Sequence, residues 1–361
     1  MRGASVALRH TVAGVRKRFR YKPGKTYQSL PTRFILERYV SAGMSRRKLY
    51  REILRGRALA AVLSVLRVVV LAGLSFIIIY PLMYTLSTAF RMQADMTDPA
   101  VMWIPKHFTL QNFKDVWTAL DYPTLLRNTL LVNIVCSVVQ VVTCSLAGYG
   151  FGRFNFRFKK VLFGLVMLQI IVPVQILDIP LFSTFRYFDI FGIFTNLTGS
   201  PLNLVDSPVA LYILAFFCNG IRSGLFILIF RQYYRSLPKD LEDSAYLDGC
   251  SYIGTFFKII LPNALVTHLT VLMFSIVWYW NDTYVTNMFF SNFKTVSTVI
   301  NKDVFWRQLS MYLANTYEGL PDNWLVWLEA GCIMAMLPVF IIYFVFQRHF
   351  LDGVEKSGIA G

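Results

Sequence analysis

Charge is scarce in this chain, and negative charge scarcest. Asp and Glu number 20 in 361 residues against 36 Lys and Arg, charged residues make up 16%, and 55% are hydrophobic. A soluble domain carries about 25% charged residues, so that composition and a mean hydropathy of +0.50 exclude an ordinary soluble fold and indicate a polytopic membrane protein. Histidine occurs four times (His10, His107, His268, His349) and never with catalytic companions at recognisable spacing; His268 reads as a packed or polar-bonded span residue. The five cysteines, Cys136, Cys144, Cys218, Cys250 and Cys332, are scattered, four of them in apolar runs, so neither a metal cluster nor a disulfide framework is indicated. No Walker A pattern occurs, so the chain should not hydrolyse ATP itself. The run Gly148-Tyr149-Gly150-Phe151-Gly152 lacks the Lys-Ser/Thr of a phosphate loop and follows no strand, which leaves close helix packing as its reading.

Positive charge is concentrated. Residues 1–57 hold 16 of the 36 Lys and Arg but two of the 20 Asp and Glu. The body is nearly balanced, which argues against a nucleic-acid-binding surface. The segment 1–57 lacks the apolar core and cleavage site of a signal peptide. It reads as a basic cytoplasmic extension: either a solvated tail or, over 34–54, an amphipathic helix on anionic lipid.

Six apolar runs follow, at about 68–86, 129–149, 161–182, 208–230, 263–284 and 325–346. Each approaches the roughly 20 residues that a bilayer requires. Pro173 and Pro180 interrupt the third, and Asn219 to Ser223 form a polar interruption in the fourth. Arg153, Arg157, Lys159 and Lys160 follow the second run, and Arg231 and Arg235 end the fourth, as the positive-inside rule expects of cytoplasmic loops. The expected fold is therefore an all-α membrane protein with six transmembrane helices, both termini cytoplasmic. Residues 58–361 would form one domain, its core at about 124–346.

Between the fourth and fifth runs lies a polar, helix-prone stretch, 237–262, reading LPKDLEDSAYLDGCSYIGTFFKIILP. Pro238 suits a first helical position. Leu241, Ala245 and Asp248 share a face with Ser244 beside them, and Gly249 suits a left-handed helix end. A second amphipathic piece, 253–260, leads into Pro262. A short helix, a glycine corner and a second helix are expected.

This stretch resembles the EAA loop of ABC-importer inner-membrane permeases, EAA-x3-G-x9-I-x-LP. Asp243, Ser244 and Ala245 stand at the EAA positions, Gly249 at the glycine, and Ile259, Leu261 and Pro262 at the end; Glu242 precedes them as in the LEEAA form. Asp243 and Ser244 depart from the usual Glu and Ala. The resemblance implies that the hairpin docks into a cytoplasmic ATPase, with Glu242, Asp243, Ser244, Ala245, Gly249, Ile259, Leu261 and Pro262 as coupling residues. Its acidic residues would meet basic ones on that subunit, and Ser244 and Ala245 would matter by being small. Two further elements are similar to carbohydrate-uptake permeases of the maltose-transporter type: Trp103-Ile104-Pro105-Lys106 with Phe108-Thr109-Leu110, and Trp280-Asn281-Asp282.

An acid at membrane depth usually faces a water-filled path or a partner, so Trp280, Asn281 and Asp282 read as substrate-path residues; the alternative is an aromatic belt with Asp282 at the interface. Gln175 and Asp178 share a face at i,i+3 and either line the same path or bond between helices. Arg222 is either path-lining or paired, with Asp178 as one candidate. The resemblance implies a multi-pass subunit of the bacterial plasma membrane that moves a sugar or oligosaccharide. Its partners would be a second, homologous permease, two copies of an ABC ATPase and an extracellular solute-binding protein. ATP and Mg²⁺ would sit on the ATPase, with no catalytic residue, metal or cofactor on this chain. An amino-acid, peptide or phosphate permease is the nearest rival. A secondary transporter should show inverted repeats, and neither these nor the catalytic constellation of an enzyme occurs.

Overall fold

The computed structural model describes residues 46–101, 103–300, 302–317 and 324–359. Most of the basic extension, 1–45, lies outside them. The chain divides into two units, Met1–Tyr80 and Pro81–Gly361. Described residues are almost wholly helical. Their only strand-like pairing is two isolated bridges, Arg91 with Phe108 and Phe188 with Leu202.

Helix α1, Arg46–Ala89, begins in the first unit and ends in the second. Its apolar stretch, Ala58–Ala89, is longer than the expected 68–86, and all side chains from Ala58 to Met83 are exposed. A helix that is apolar all round and unburied is built for a non-aqueous medium.

In the second unit, α2 (Gln111–Ala119) leads to α3 (Tyr122–Arg153). Three buried clusters follow one another along α3. Leu125 packs with Phe305, Leu309 and Trp327; Val132 and Cys136 with Leu211, Leu214 and Phe289; Val141, Cys144 and Tyr149 with Phe226, Phe230, Tyr234 and Ile260. The α3 helix is thus the axis of this unit. Against it lies α8 (Ser223–Ser236), closely: a Cβ on Gly148 would sit 2.5 Å from Phe230 Cβ.

The third expected span is not one helix. It comprises α4 (Lys159–Ile171), a 3₁₀ turn (Val174–Leu177) and α5 (Asp178–Arg186), the two arms meeting at 103°. Pro173 causes the break, since it lacks an N–H and disfavours helical backbone at the residue before it; Val172 is extended, at ψ 120. After α6 (Ile193–Thr198), the fourth expected span is also split, into α7 (Val209–Phe216) and α8, with Cys218 (φ 55) and Arg222 (φ 61) left-handed between them. The polar hairpin is α9 (Asp240–Leu247) and α10 (Tyr252–Asn263), and α10 turns 77° into α11 (Leu265–Asn281). Short α12 (Tyr284–Phe289) and α13 (Lys302–Thr316) precede α14 (Leu325–Ile359), whose apolar part is Leu325–Gln347. Among the described residues three helices are long and apolar enough to cross a membrane, or five if each bent pair is one span.

One aspartate pins the loop before α7 to the chain after α12. Asp206 (φ 67) accepts from the backbone N–H groups of Ser291 (2.6 Å), Asn292 (2.7 Å) and Phe293 (3.2 Å), and from Asn292 Nδ2 (2.7 Å). Burial pushes its pKa up, but these donors outweigh burial and hold it below the ordinary carboxylate value. A depressed pKa stabilises the fold above the unfolded carboxylate range, and that contribution is lost as pH falls. Asp206→Asn should therefore lower the thermal unfolding midpoint in detergent near neutral pH by the equivalent of about 1–3 kcal/mol. The gap from wild type should close as pH drops below about 4; a gap that stays constant with pH would refute the ionic role.

Candidate functional site

Two places gather the sequence-marked residues: the hairpin, and a cavity beside the α7–α8 break.

The hairpin turns where expected. Gly249 is left-handed (φ 81), its N–H donates to Tyr246 O (3.0 Å), and Cys250 N–H donates to Ala245 O (2.9 Å). This pair of bonds is the Schellman helix ending, which needs a residue free of a Cβ penalty at Gly249. Pro238 stands ahead of α9, with Lys239 at the N-cap, and not at the first helical position. In α10, Ser251 Oγ accepts from Gly254 N–H (3.1 Å), and the chain widens to a π-turn at Phe256–Ile260 before Leu261 and Pro262. A proline cannot donate to the preceding turn, and a π-turn is a common local adjustment.

The hairpin has an outer and an inner face, and the residues marked in the sequence divide between them. Glu242 and Ala245 are buried, while Asp243, Ser244, Leu247, Asp248 and Gly249 are exposed, Leu247 at 89%. Glu242 Oε1 lies 3.2 Å from Arg153 Nε and accepts from Tyr149 Oη (3.1 Å); the Arg153 Nε–H is not aimed at it, so the contact is an ion pair more than an aligned bond. Arg153 also donates from a terminal nitrogen to Leu237 O (2.7 Å). Ile259 and Leu261 are half-buried and Pro262 is exposed.

The cavity, about 890 Å³, is lined by Gln169, Gln175, Asn219, Arg222, Trp278, Tyr279, Asn281, Asp282 and Tyr284 among others. That size lies within the range of small-molecule sites, about 300–1,000 Å³. Four of the six path residues therefore share one wall. Trp280 turns away: its indole N–H donates to Ala335 O (3.1 Å), and its ring lines a second cavity of about 560 Å³. Asp178 stands behind the wall and accepts a hydrogen bond from the Tyr284 hydroxyl. Arg222 does not pair with Asp178. Its guanidinium lies over the Trp278 ring, 4.5 Å from the centroid, a cation–π contact. The Asp282 carboxylate caps α12, accepting from Thr286 N–H (2.7 Å), Thr286 Oγ1 (2.6 Å) and Val285 N–H (3.3 Å). The wall thus offers a stacked cation, three aromatic side chains and side-chain amides, an array that suits hydroxyl-rich solutes.

Gln140 holds this wall in place. It is wholly buried; Nε2 donates to Ile221 O (2.7 Å) and Ser223 Oγ (2.7 Å), and Oε1 accepts from Ser275 Oγ (2.9 Å). The sequence reading passed over it, although the signal exists: Asn133, Ser137, Gln140 and Cys144 recur at helical spacing in an apolar run, and all are buried on one face of α3. The spacing of Ser145 and His268 is not legible in the sequence; their side chains meet at 2.7 Å, with Tyr234 on the same hydroxyl.

Residues 145–356 match the family described as binding-protein-dependent transport system inner membrane component, and the chain belongs to that family. Relatives include the arabinooligosaccharides transport system permease protein AraQ of Halalkalibacterium halodurans, 28% identical over 309 residues, spanning 84% of this chain and 99% of that one. The diacetylchitobiose uptake system permease protein DasC of Streptomyces coelicolor is 25% identical over 299 residues, spanning 82% and 96%. A solved chain from a bacterial ABC transporter that imports the acidic polysaccharide alginate shares the fold, with a TM-score of 0.62, 18% identity, and coverage of 80% of this chain and 97% of that one.

Replacing Gln140 with Leu leaves the Ile221 carbonyl and the Ser275 hydroxyl without their partner. The expected cost is about 1–3 kcal/mol, read as a lower unfolding midpoint in detergent. An unchanged midpoint would show that Gln140 does not hold the break.

Proposed function

We propose that the chain is a permease subunit of an ATP-binding-cassette importer in the bacterial plasma membrane, and that its solute is a sugar or oligosaccharide. The observation that carries the importer reading is the two-faced hairpin inside the family-matched segment. Its outer face presents Asp243, Ser244, Leu247 and Asp248 around a glycine corner, and its inner face is fastened to α3. A loop between apolar helices has no need of such a corner unless a separate protein seats on it. The sugar reading is supported by the solutes named for the relatives and by the stacked, amide-rich wall of the cavity.

In this reading the six apolar runs are six crossings, the α7–α8 pair forming one broken crossing, with both termini and the hairpin on the cytoplasmic side. The remaining subunits are a homologous permease, two ATPase copies that bind ATP and Mg²⁺, and an extracellular solute-binding protein. ATP binding closes the ATPase pair and draws the hairpins together; each nucleotide state favours one arrangement of the spans through differential contact at the hairpin. The permease itself performs no chemistry.

Gly249→Val tests the corner. No neighbour would clash with a Cβ at Gly249, so the cost comes from the left-handed backbone alone, about 1–2 kcal/mol. The variant should insert and assemble, yet transport at least about tenfold less solute per ATP hydrolysed, a loss within the usual size of site-to-site coupling. Uptake at the wild-type ratio would remove the hairpin from the mechanism. Trp278→Ala should raise KM for the transported oligosaccharide with less effect on maximal rate. A panel of oligosaccharides, amino acids, peptides and phosphate, screened by uptake, checks the solute class; uptake of phosphate or amino acids alone would overturn the sugar reading.

A further inference from the structure

Glu242 lies on the hairpin, yet the outer surface does not include it. Its side chain is 11% exposed and that of Arg153 6%. A buried ion pair is often no more stabilising than apolar residues of the same volume, so stability does not explain its presence. Its distinctive property is mechanical. Apolar surfaces slide over one another, whereas a charge pair with two further hydrogen bonds resists displacement in every direction.

The second arm of the hairpin reaches the same place. Phe256 packs on Tyr149 at 4.9 Å between ring centroids, and Tyr149 also meets Tyr234 at 5.4 Å. The end of α3 is therefore gripped by α9 through Glu242 and by α10 through Phe256. From Arg153, α3 runs past Gly148, packed on Phe230, to Gln140, about 20 Å further along the axis. Gln140 bonds to Ile221 and Ser223, the residues on either side of Arg222 in the cavity wall.

We infer that the buried Glu242–Arg153 pair is a positioning element of transport: a strut that passes displacement of the hairpin into α3 and so to the Arg222 wall of the cavity. This rests on the importer reading. Asp243, Leu247 and Asp248 meet the ATPase; Glu242 holds the permease to its own hairpin.

The test needs no solute. The complex is purified with its partner permease and ATPase, the five native cysteines replaced by serine, and spin labels placed at Leu131→Cys on α3 and Ile341→Cys on α14, both exposed positions. ATP with vanadate should change the inter-label distance in the otherwise wild-type complex. Glu242→Gln should leave the ATPase bound but reduce that change about tenfold, within the usual size of site-to-site coupling. Glu242→Asp, which keeps the charge, should restore most of it; a purely packing role predicts that Asp is no better than Gln. A full distance change in Glu242→Gln overturns the strut. So does loss of the ATPase from that variant, because the carboxylate would then be a docking contact. Failure of the unaltered chain to co-purify with any ATPase is a different result and sinks the importer reading itself.

Discussion

A backbone carbonyl freed from a helix within an apolar environment must find a donor, because no water is there to supply one. The α7–α8 break frees two. Gln169 Nε2 donates to Cys218 O (3.0 Å) and Gln140 Nε2 to Ile221 O (2.7 Å). One of these donors comes from α3 and one from α4, so both helices hold the break. The polar groups that seem misplaced in apolar runs are there to hold this one irregular segment open.

The irregular segment in turn makes the cavity. Had α7 continued into α8, Arg222 would have been an unpaired cation on a helix flank, which is costly in the bilayer. Left-handed at the start of α8, it instead lays its guanidinium on Trp278. The Asp282 carboxylate is likewise held from within the chain, by the α12 amides, and one Asp178 oxygen accepts from Tyr284. The wall is therefore assembled before any solute arrives, and a preassembled wall loses less freedom on binding.

Periodicity and punctuation made much of this legible. The apolar runs mark where the helices lie, Pro173 marks a break, and Gly249 fixes a corner whose bonds follow from a single positive φ. What a one-dimensional reading does not resolve is which side of a short helix faces inward. Glu242 and Asp243 are adjacent acids with the same propensities, and their different fates are decided by Arg153, 89 residues before the first of them. The proposed pairing of Arg222 with Asp178 fails for the same reason: charge complementarity ranks partners, but Trp278 and Tyr284 were nearer. Trp280 and Asp282 illustrate the limit of a motif: Trp280 lines the second cavity, Asp282 the larger one, and Asn281 between them borders both.

The scarcity of acidic residues acquires a physical meaning at the hairpin. A chain with few carboxylates places four of them between Asp240 and Asp248, while Arg153, Arg157, Lys159, Arg231 and Arg235 cluster at the ends of the second and fourth apolar runs. If mutual neutralisation were the purpose, all four would pair with these cations. Among the described residues Glu242 is the one of the four in an ion pair, with Arg153, and Asp243 and Asp248 are exposed. Hydrated carboxylates on a rigid, exposed corner lose solvation only when a complementary surface closes over them, so the arrangement favours a partner that supplies its own cations. The inner carboxylate has already lost its water and found its cation within the fold.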